Sequence, residues 1–337
     1  MNEISYEESL FFKNKIYLDV RSPQEFETDH IPQAINLPLF DNEERKEIGQ
    51  IYRFSGKNQA VLKGLTFFEK KLSRYFTIIN NYQNKNLIIY CARGGMRSSS
   101  ISSLIKALGF SSYKIKGGYK EYRHYVSQKL TKSDLKLPPL FILQGLTGVG
   151  KTELIKKIPH SIDLEDLAQH KGSLFGEIAV VKRTQKKFES LILEKIEKSK
   201  NKPYLLLEGE SKKIGNLHIP LNFYRHLQKA PVILIKSPLK KRIKDIINEY
   251  SSEVNFEKIV KIMKRLKSKI GNKKGEDLKK YFLNKNLDLF VKILLEDYYD
   301  PLYQHSLKKI KPIAEIENIN SKETLKKIKE IIIKNLK

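Results

Sequence analysis

The chain has 337 residues, 40% of them hydrophobic, with one cysteine, no tryptophan and a formal net charge of +26. A single thiol excludes an internal disulfide and any cysteine-built metal cluster, which fits a reducing compartment, and no apolar run approaches the ~20 residues that span a bilayer. The length accommodates two domains, and the charge, +8 over residues 1–136 and +18 over the rest, favours polyanionic partners, nucleic acid foremost.

Residues 1–12 carry three acidic side chains and no cationic leader, so the expectation is a cytoplasmic protein with no membrane partner. Residues 15–20 read as a buried strand, and Arg21-Ser22-Pro23 as the turn that opens a helix. A second short strand spans 35–37 between Pro32 and Pro38. Residues 41–84 look mostly helical and are too long for a plain connection, which marks a functional insertion. Its Arg45, Arg53, Lys57 and Lys63 suit either a polyanion or a solvated helical face.

Residues 87–90 form the expected central strand, which delivers Cys91 into the loop Cys91-Ala92-Arg93-Gly94-Gly95-Met96-Arg97-Ser98. A helix over 98–108 stopped by Gly109, and a strand over 113–116 before Gly117-Gly118, complete this part. Strands alternating with helices predict a parallel sheet whose ligands sit at the carboxyl ends of the strands, where Cys91 lies. A thiol beside two guanidinium groups and a helix N-terminus is expected to be a reactive anion, with Arg93 and Arg97 as its catalytic companions. Most lone cysteines are small packing residues, but packing alone requires neither Gly94-Gly95 nor arginines two and six positions on.

The polar stretch 131–138 is the predicted linker between a domain over 1–130 and a second over 139–337. There an apolar strand, 140–144, runs into Gly145-Leu146-Thr147-Gly148-Val149-Gly150-Lys151-Thr152, a full GxxxxGKT. With a strand before it and a helical pattern after it, this is a phosphate-binding loop. Gly145, Gly148 and Gly150 let the backbone wrap an anion, Lys151 reaches a terminal phosphate oxygen, and Thr152 is placed to ligate magnesium. Any diphosphate satisfies this geometry. Residues 161–165 read as a short strand carrying Asp163 and Glu165, followed by a polar loop with His170. The strand 204–208 ends at Glu208, either an ordinary strand-end acid or a magnesium-orienting carboxylate. A further strand covers 231–236. From Pro238 onward the chain reads as a helical, lysine-rich extension without an assignable motif.

Asp19-Val20-Arg21-Ser22-Pro23, Glu25-Phe26, His30-Ile31-Pro32, Ala34 to Pro38 and the Cys91 loop together resemble a rhodanese domain. A rhodanese domain followed by a P-loop resembles the tRNA 2-selenouridine synthase family. That likeness extends through Glu43-Glu44-Arg45, Gly49 with Tyr52, Lys116 to Lys120, Tyr122-Arg123, Asp163 to Glu165, His170 to Ser173 and Phe175-Gly176. The resemblance implies a rhodanese-like parallel sheet with helices on both faces, then a kinase-like P-loop α/β domain. It implies replacement of sulfur by selenium in wobble 2-thiouridine of tRNAs for Lys, Glu and Gln. The implied route is S-geranylation from geranyl diphosphate, then displacement by selenophosphate with Cys91 handling the selenium. It implies these two co-substrates and no tightly bound cofactor, tRNA as partner, and transient contact with the enzyme that supplies selenophosphate.

The spacing Cys91-x5-Arg97-Ser98 also matches the loop size of cysteine phosphatases, since it admits a tetrahedral oxyanion. A cysteine phosphatase or sulfurtransferase fused to a small-molecule kinase is therefore the competing reading. It accounts for both loops and leaves the +18 of the second part unexplained.

Overall fold

The computed structural model describes residues 2–336 except 133–134, 171–182, 251–262, 264–265 and 267–269. It divides into two compact units, Met1–Lys132 with Thr184–Glu194, and Ser133–Arg183 with Lys195–Lys337.

The first unit runs β1 (Glu3–Ile4), α1 (Tyr6–Ser9), β2 (Lys15–Asp19), α2 (Pro23–Thr28), β3 (Ile35–Asn36), α3 (Asn42–Phe54), α4 (Gly56–Glu69), α5 (Leu72–Asn80), β4 (Asn86–Tyr90), α6 (Met96–Ala107), β5 (Ser112–Ile115) and α7 (Gly118–Thr131). Its sheet has the order β1-β5-β4-β2-β3, with every pair parallel. β4 is central and apolar over Leu87 to Tyr90, as a strand covered on both faces must be. Leu18, Leu87 and Ile89 pack with Tyr75, Ile79, Ile101 and Ile105 of α5 and α6. The alternate residue Tyr17 meets Tyr6, which in turn stacks edge-on with Tyr122 and Tyr125 of α7 on the other face. Reciprocal caps start the helices: Ser22 with Glu25 and Pro23 at the first position for α2, Asp41 with Glu44 for α3. The expected helical insertion is thus three helices, α3 to α5.

The second unit continues with β6 (Leu140–Gln144), α8 (Lys151–Lys157), β7 (Ser161–Ile162), α9 (Leu164–Ala168) and α10 (Gln185–Ser199), whose residues up to Glu194 group with the first unit. Then come β8 (Leu205–Glu208), the hairpin β9 (Lys213–Ile214) and β10 (Leu217–His218), α11 (Leu221–Lys229), β11 (Val232–Lys236) and α12 (Leu239–Tyr250). α13 (Asn272–Leu283), α14 (Leu287–Leu294), α15 (Asp300–Leu307), β12 (Ala314–Glu317) and α16 (Ser321–Asn335) complete the chain. The sheet order is β12-β11-β6-β8-β7, again parallel throughout. Phe141, Leu143, Leu206, Ile233 and Ile235 pack with Leu154 and Ile155 of α8 and with Ile328 and Ile332 of α16. Ile142, Leu205 and Leu207 alternate with them and are buried as well, so this sheet too is covered on both faces. Among the described residues no helix is long and apolar enough to cross a membrane.

Two expectations need correction. The C-terminal extension is not wholly helical, because Ala314–Glu317 adds an edge strand beside β11. The acidic segment is not a strand through residue 165: β7 ends at Ile162, and Asp163 caps α9 by accepting from the Asp166 amide at 2.8 Å. Glu165 therefore sits in the first turn of a helix.

Candidate functional site: a thiol loop and a phosphate loop

β4 ends at Tyr90, and the next residue, Cys91, lies at the carboxyl end of its sheet with 3% exposure. The loop that follows has its carbonyls engaged from outside. Cys91 O accepts from the Tyr119 amide at 2.8 Å and Ala92 O from Lys120 at 3.1 Å, both at the start of α7. Gly94 O accepts from Lys114 Nζ at 3.1 Å; this buried lysine of β5 also reaches Ser99 Oγ and ion-pairs with Glu3. The approach of α7 is close enough that a Cβ on Gly118, whose φ is +62°, would fall 2.2 Å from Cys91 O. With these three carbonyls held outward, the Arg93 and Ser98 amides are free to donate to the sulfur, while Gly95 O turns inward, 3.9 Å from Sγ.

Burial pushes the Cys91 thiol up. The Ser98 hydroxyl, the Arg93 amide, the Arg97 charge and the Ser98 amide outweigh it and leave the thiol below its ordinary value. Ser98 Oγ lies 3.2 Å from Sγ. The two arginines differ. Arg93 is exposed, while Arg97 is held by Glu25 at 2.7 Å, with Arg45 of the insertion 3.9 Å from the same carboxylate. Burial raises the Glu25 carboxyl, but Arg97 and the Ser22 amide bring it below the usual carboxylate range. Arg97 thus reaches the thiol as a restrained charge on the loop's shoulder. The Asp19-Val20-Arg21 motif is a brace: Arg21 is buried, ion-pairs with Asp19 at 2.5 Å, donates to Asp29 O at 2.7 Å and stacks on the Tyr119 ring.

In the second unit, Gly145, Gly148, Gly150, Lys151 and Thr152 line a cavity of about 710 Å³ together with Asp163, Glu165, His170 and Glu208. The expected phosphate and polar residues therefore share one wall system. Gly148 requires its φ of +80°, and a Cβ there would meet Ile246 at 2.7 Å. Lys151 folds over the loop, donating to Gly145 O at 2.9 Å and Leu146 O at 3.2 Å. Thr152 Oγ1 donates to Glu208 Oε1 at 3.4 Å. Glu208 is 2% exposed, and its other oxygen, like Asp163 Oδ2 and His170 Nδ1, has no hydrogen-bond partner among the described residues. Burial raises the Glu208 and Asp163 carboxyls, with Lys151 opposing it at Glu208. Such orphaned atoms facing a cavity mark a place for a polar or cationic ligand. No group of three or more His, Cys, Asp or Glu able to hold a metal gathers among the described residues. The motif residues 171–173 and 175–176 lie outside the described residues.

Several residues of the site carry no sequence signal of their own. Glu210 lines the same cavity, its carboxyl pushed up to about 7 by burial and by the neighbouring Glu208. Arg242 of α12 donates to Thr147 O at 2.8 Å and forms a bidentate pair with Asp300 of α15 at 2.9 and 2.6 Å. Asn318, just past β12, donates to Val149 O at 2.8 Å. These partners lie 95 and 169 positions from the loop residues they brace.

Two family models match the chain: a tRNA 2-selenouridine synthase AAA domain over residues 138–335 and a rhodanese-like domain over 6–125. Proteins named tRNA 2-selenouridine synthase align along nearly its whole length. That of Sulfurovum sp. (strain NBC37-1) is 30% identical, covering 89% of this chain and 91% of the relative. The Shewanella halifaxensis protein is also 30% identical, with the same 89% and 91% coverage. The Shewanella denitrificans protein is 32% identical, covering 89% and 90%.

Proposed function

The chain belongs to the tRNA 2-selenouridine synthase family, and we propose that it acts on tRNA as a transferase that exchanges sulfur for selenium in wobble 2-thiouridine in two steps. In the first, the thiocarbonyl sulfur attacks C1 of geranyl diphosphate. The S–C bond forms, the C–O bond breaks, diphosphate leaves and the base loses its N3 proton. In the second, the selenium of selenophosphate bonds to C2 and the C2–S bond breaks, so that geranylthiol leaves with a proton; water then attacks phosphorus, the Se–P bond breaks and phosphate departs, leaving selenium on C2. Alkylation comes first because a thioether sulfur leaves as a thiol, whereas a thiocarbonyl leaves poorly.

The observation that carries this reading is the pairing, in one chain of this family, of a loop that lowers a thiol's pKa with a complete phosphate-binding loop. The Cys91 loop, with its inward amides and Arg97, suits the tetrahedral selenophosphate anion. The Gly145 to Thr152 loop suits the diphosphate of the prenyl donor, held by backbone amides and Lys151. The orphaned Glu208 oxygen beside Thr152 fits a magnesium ion accompanying that diphosphate; Thr152 and Glu208 would hold it, and it would neutralise phosphate charge. The protein works in the cytoplasm and receives selenophosphate from a transiently bound supplier.

Mass spectrometry of nucleosides from bulk tRNA tests the scheme. Deleting the gene removes 2-selenouridine. Restoring it as Cys91→Ala returns only S-geranyl-2-thiouridine, and restoring it as Lys151→Ala returns neither product. Selenouridine persisting in the Cys91→Ala strain would refute the assignment.

A further inference from the structure

Sγ of Cys91 and the Ser98 hydroxyl are both buried, 3.2 Å apart, and the same hydroxyl lies 3.1 Å from the Gly95 carbonyl. A serine has one proton to donate and two lone pairs to accept with. Two partners compete for that proton, and their claims change with the state of the sulfur. While Cys91 is a thiol, the hydroxyl donates to Gly95 O at 3.1 Å, and its oxygen, 3.2 Å from Sγ, is a nearer acceptor for the S–H than Gly95 O at 3.9 Å. Once the thiol ionises, Sγ can only accept, and the hydroxyl gains more by turning to the anion, because a charge-assisted bond is roughly twice as strong as a neutral one.

We propose that Ser98 is a further catalytic residue of this site, a one-proton rotor that swings from the Gly95 carbonyl to Sγ as Cys91 ionises and so sets the fraction of reactive thiolate. This deepens, and rests on, the proposed role of Cys91 as the working thiol. Ser98 suits the task because it sits in the first turn of α6 next to Arg97, so the helix start that positions the guanidinium also positions the hydroxyl. No bond to carbon or selenium changes; one proton leaves Cys91 for solvent and one hydroxyl reorients.

The charged groups around the loop are Arg93 and Arg97 within it, Glu25 from α2 and Arg45 from α3 on the Arg97 side, Lys114 from β5 at Gly94 O, and Glu121 from α7 against Gly117. Replacing Ser98 leaves all of them in place, so a moved titration reports the hydroxyl.

Cys91 is the only cysteine, so alkylation of the whole chain by iodoacetamide, followed by mass spectrometry across pH, reads this thiol alone. In Ser98→Ala the midpoint of the rate profile is expected to move up by about one pH unit, a roughly tenfold lower rate on the acid side, with the alkaline plateau kept. A profile that overlays the wild type overturns the proposal. In the unsubstituted chain, the single S–H Raman band is expected at the lowered frequency of a hydrogen-bonded thiol, and a band at the free-thiol frequency overturns it equally. Neither measurement involves tRNA. A moved midpoint alongside unchanged tRNA nucleosides would count against the proposed reaction and leave the rotor standing.

Discussion

Arg242 and Asp300 are 3% and 9% exposed, and their two hydrogen bonds of 2.9 and 2.6 Å close a fork around one carboxylate. Asp300→Ala removes that carboxylate and leaves the guanidinium buried with Thr147 O as its remaining hydrogen-bond partner among the described residues. Stranding a buried charge costs about 3–5 kcal/mol. For a unit of this size each kcal/mol lowers the melting temperature by ~2–4 °C, so the transition of the second unit should fall by about 6–20 °C. The double variant Arg242→Met/Asp300→Leu removes both charges and fills the space. It leaves only Thr147 O without its donor, a loss of about 1–3 kcal/mol. The double variant should therefore melt above the single one. Binding of inorganic diphosphate should rank the other way: Asp300→Ala keeps the Arg242–Thr147 tether, whereas the double variant lets the phosphate loop loosen and binds more weakly. Far-UV circular dichroism gives the melts, since the chain has no tryptophan to follow, and calorimetry gives the affinities. A single variant within about 1 kcal/mol of the parent, or a double variant less stable than the single, would refute the reasoning.

Glu25→Gln should cost about 1 kcal/mol at pH 7, the value of a part-buried charged pair with Arg97, and less in acid. The Glu25 carboxyl is depressed in the folded chain, so its contribution is complete above its ordinary value of 4.5 and fades as pH falls below it; melts at pH 7 and pH 3 check this, and an equal cost at both would refute it. Gly118→Ala forces a β-carbon into a left-handed position 2.2 Å from Cys91 O and 2.5 Å from the Gly94 amide. The backbone strain alone is about 1–2 kcal/mol, and the displaced loop should slow alkylation of Cys91; a stable variant with unchanged thiol reactivity would show that α7 does not shape the loop.

The two loops were legible because an anion cradle is built from neighbouring residues. Gly145 to Thr152 and Cys91 to Ser98 each supply their own amides, their own helix start and their own cation, so the chemistry survives in a string of eight letters. What holds each cradle in shape was not legible, because it arrives from far along the chain. Glu25 meets Arg97 across 72 positions, and Arg242 meets Asp300 across 58. Arg242 and Asp300 each read alone as one more charge on a highly charged chain, and neither Glu25 in its motif nor Arg97 in its loop names the other as its partner. The edge strand Ala314–Glu317 escaped for a related reason: it buries one residue, Ile316, among exposed acids, so its two-residue period is too weak to stand out from the lysine-rich helices around it. Yet that strand sets Asn318 against Val149 O, and its position beside β11 places the C-terminal segment at the phosphate loop. Asp163 shows the opposite case, a local signal misassigned. An aspartate followed by acids in the next turn is a helix-start pattern, and reading it as a strand end moved Glu165 onto the wrong element. The proposed function therefore rests on short cradles that sequence spells out, held by distant ion pairs and carbonyl tethers whose partners only the fold brings together.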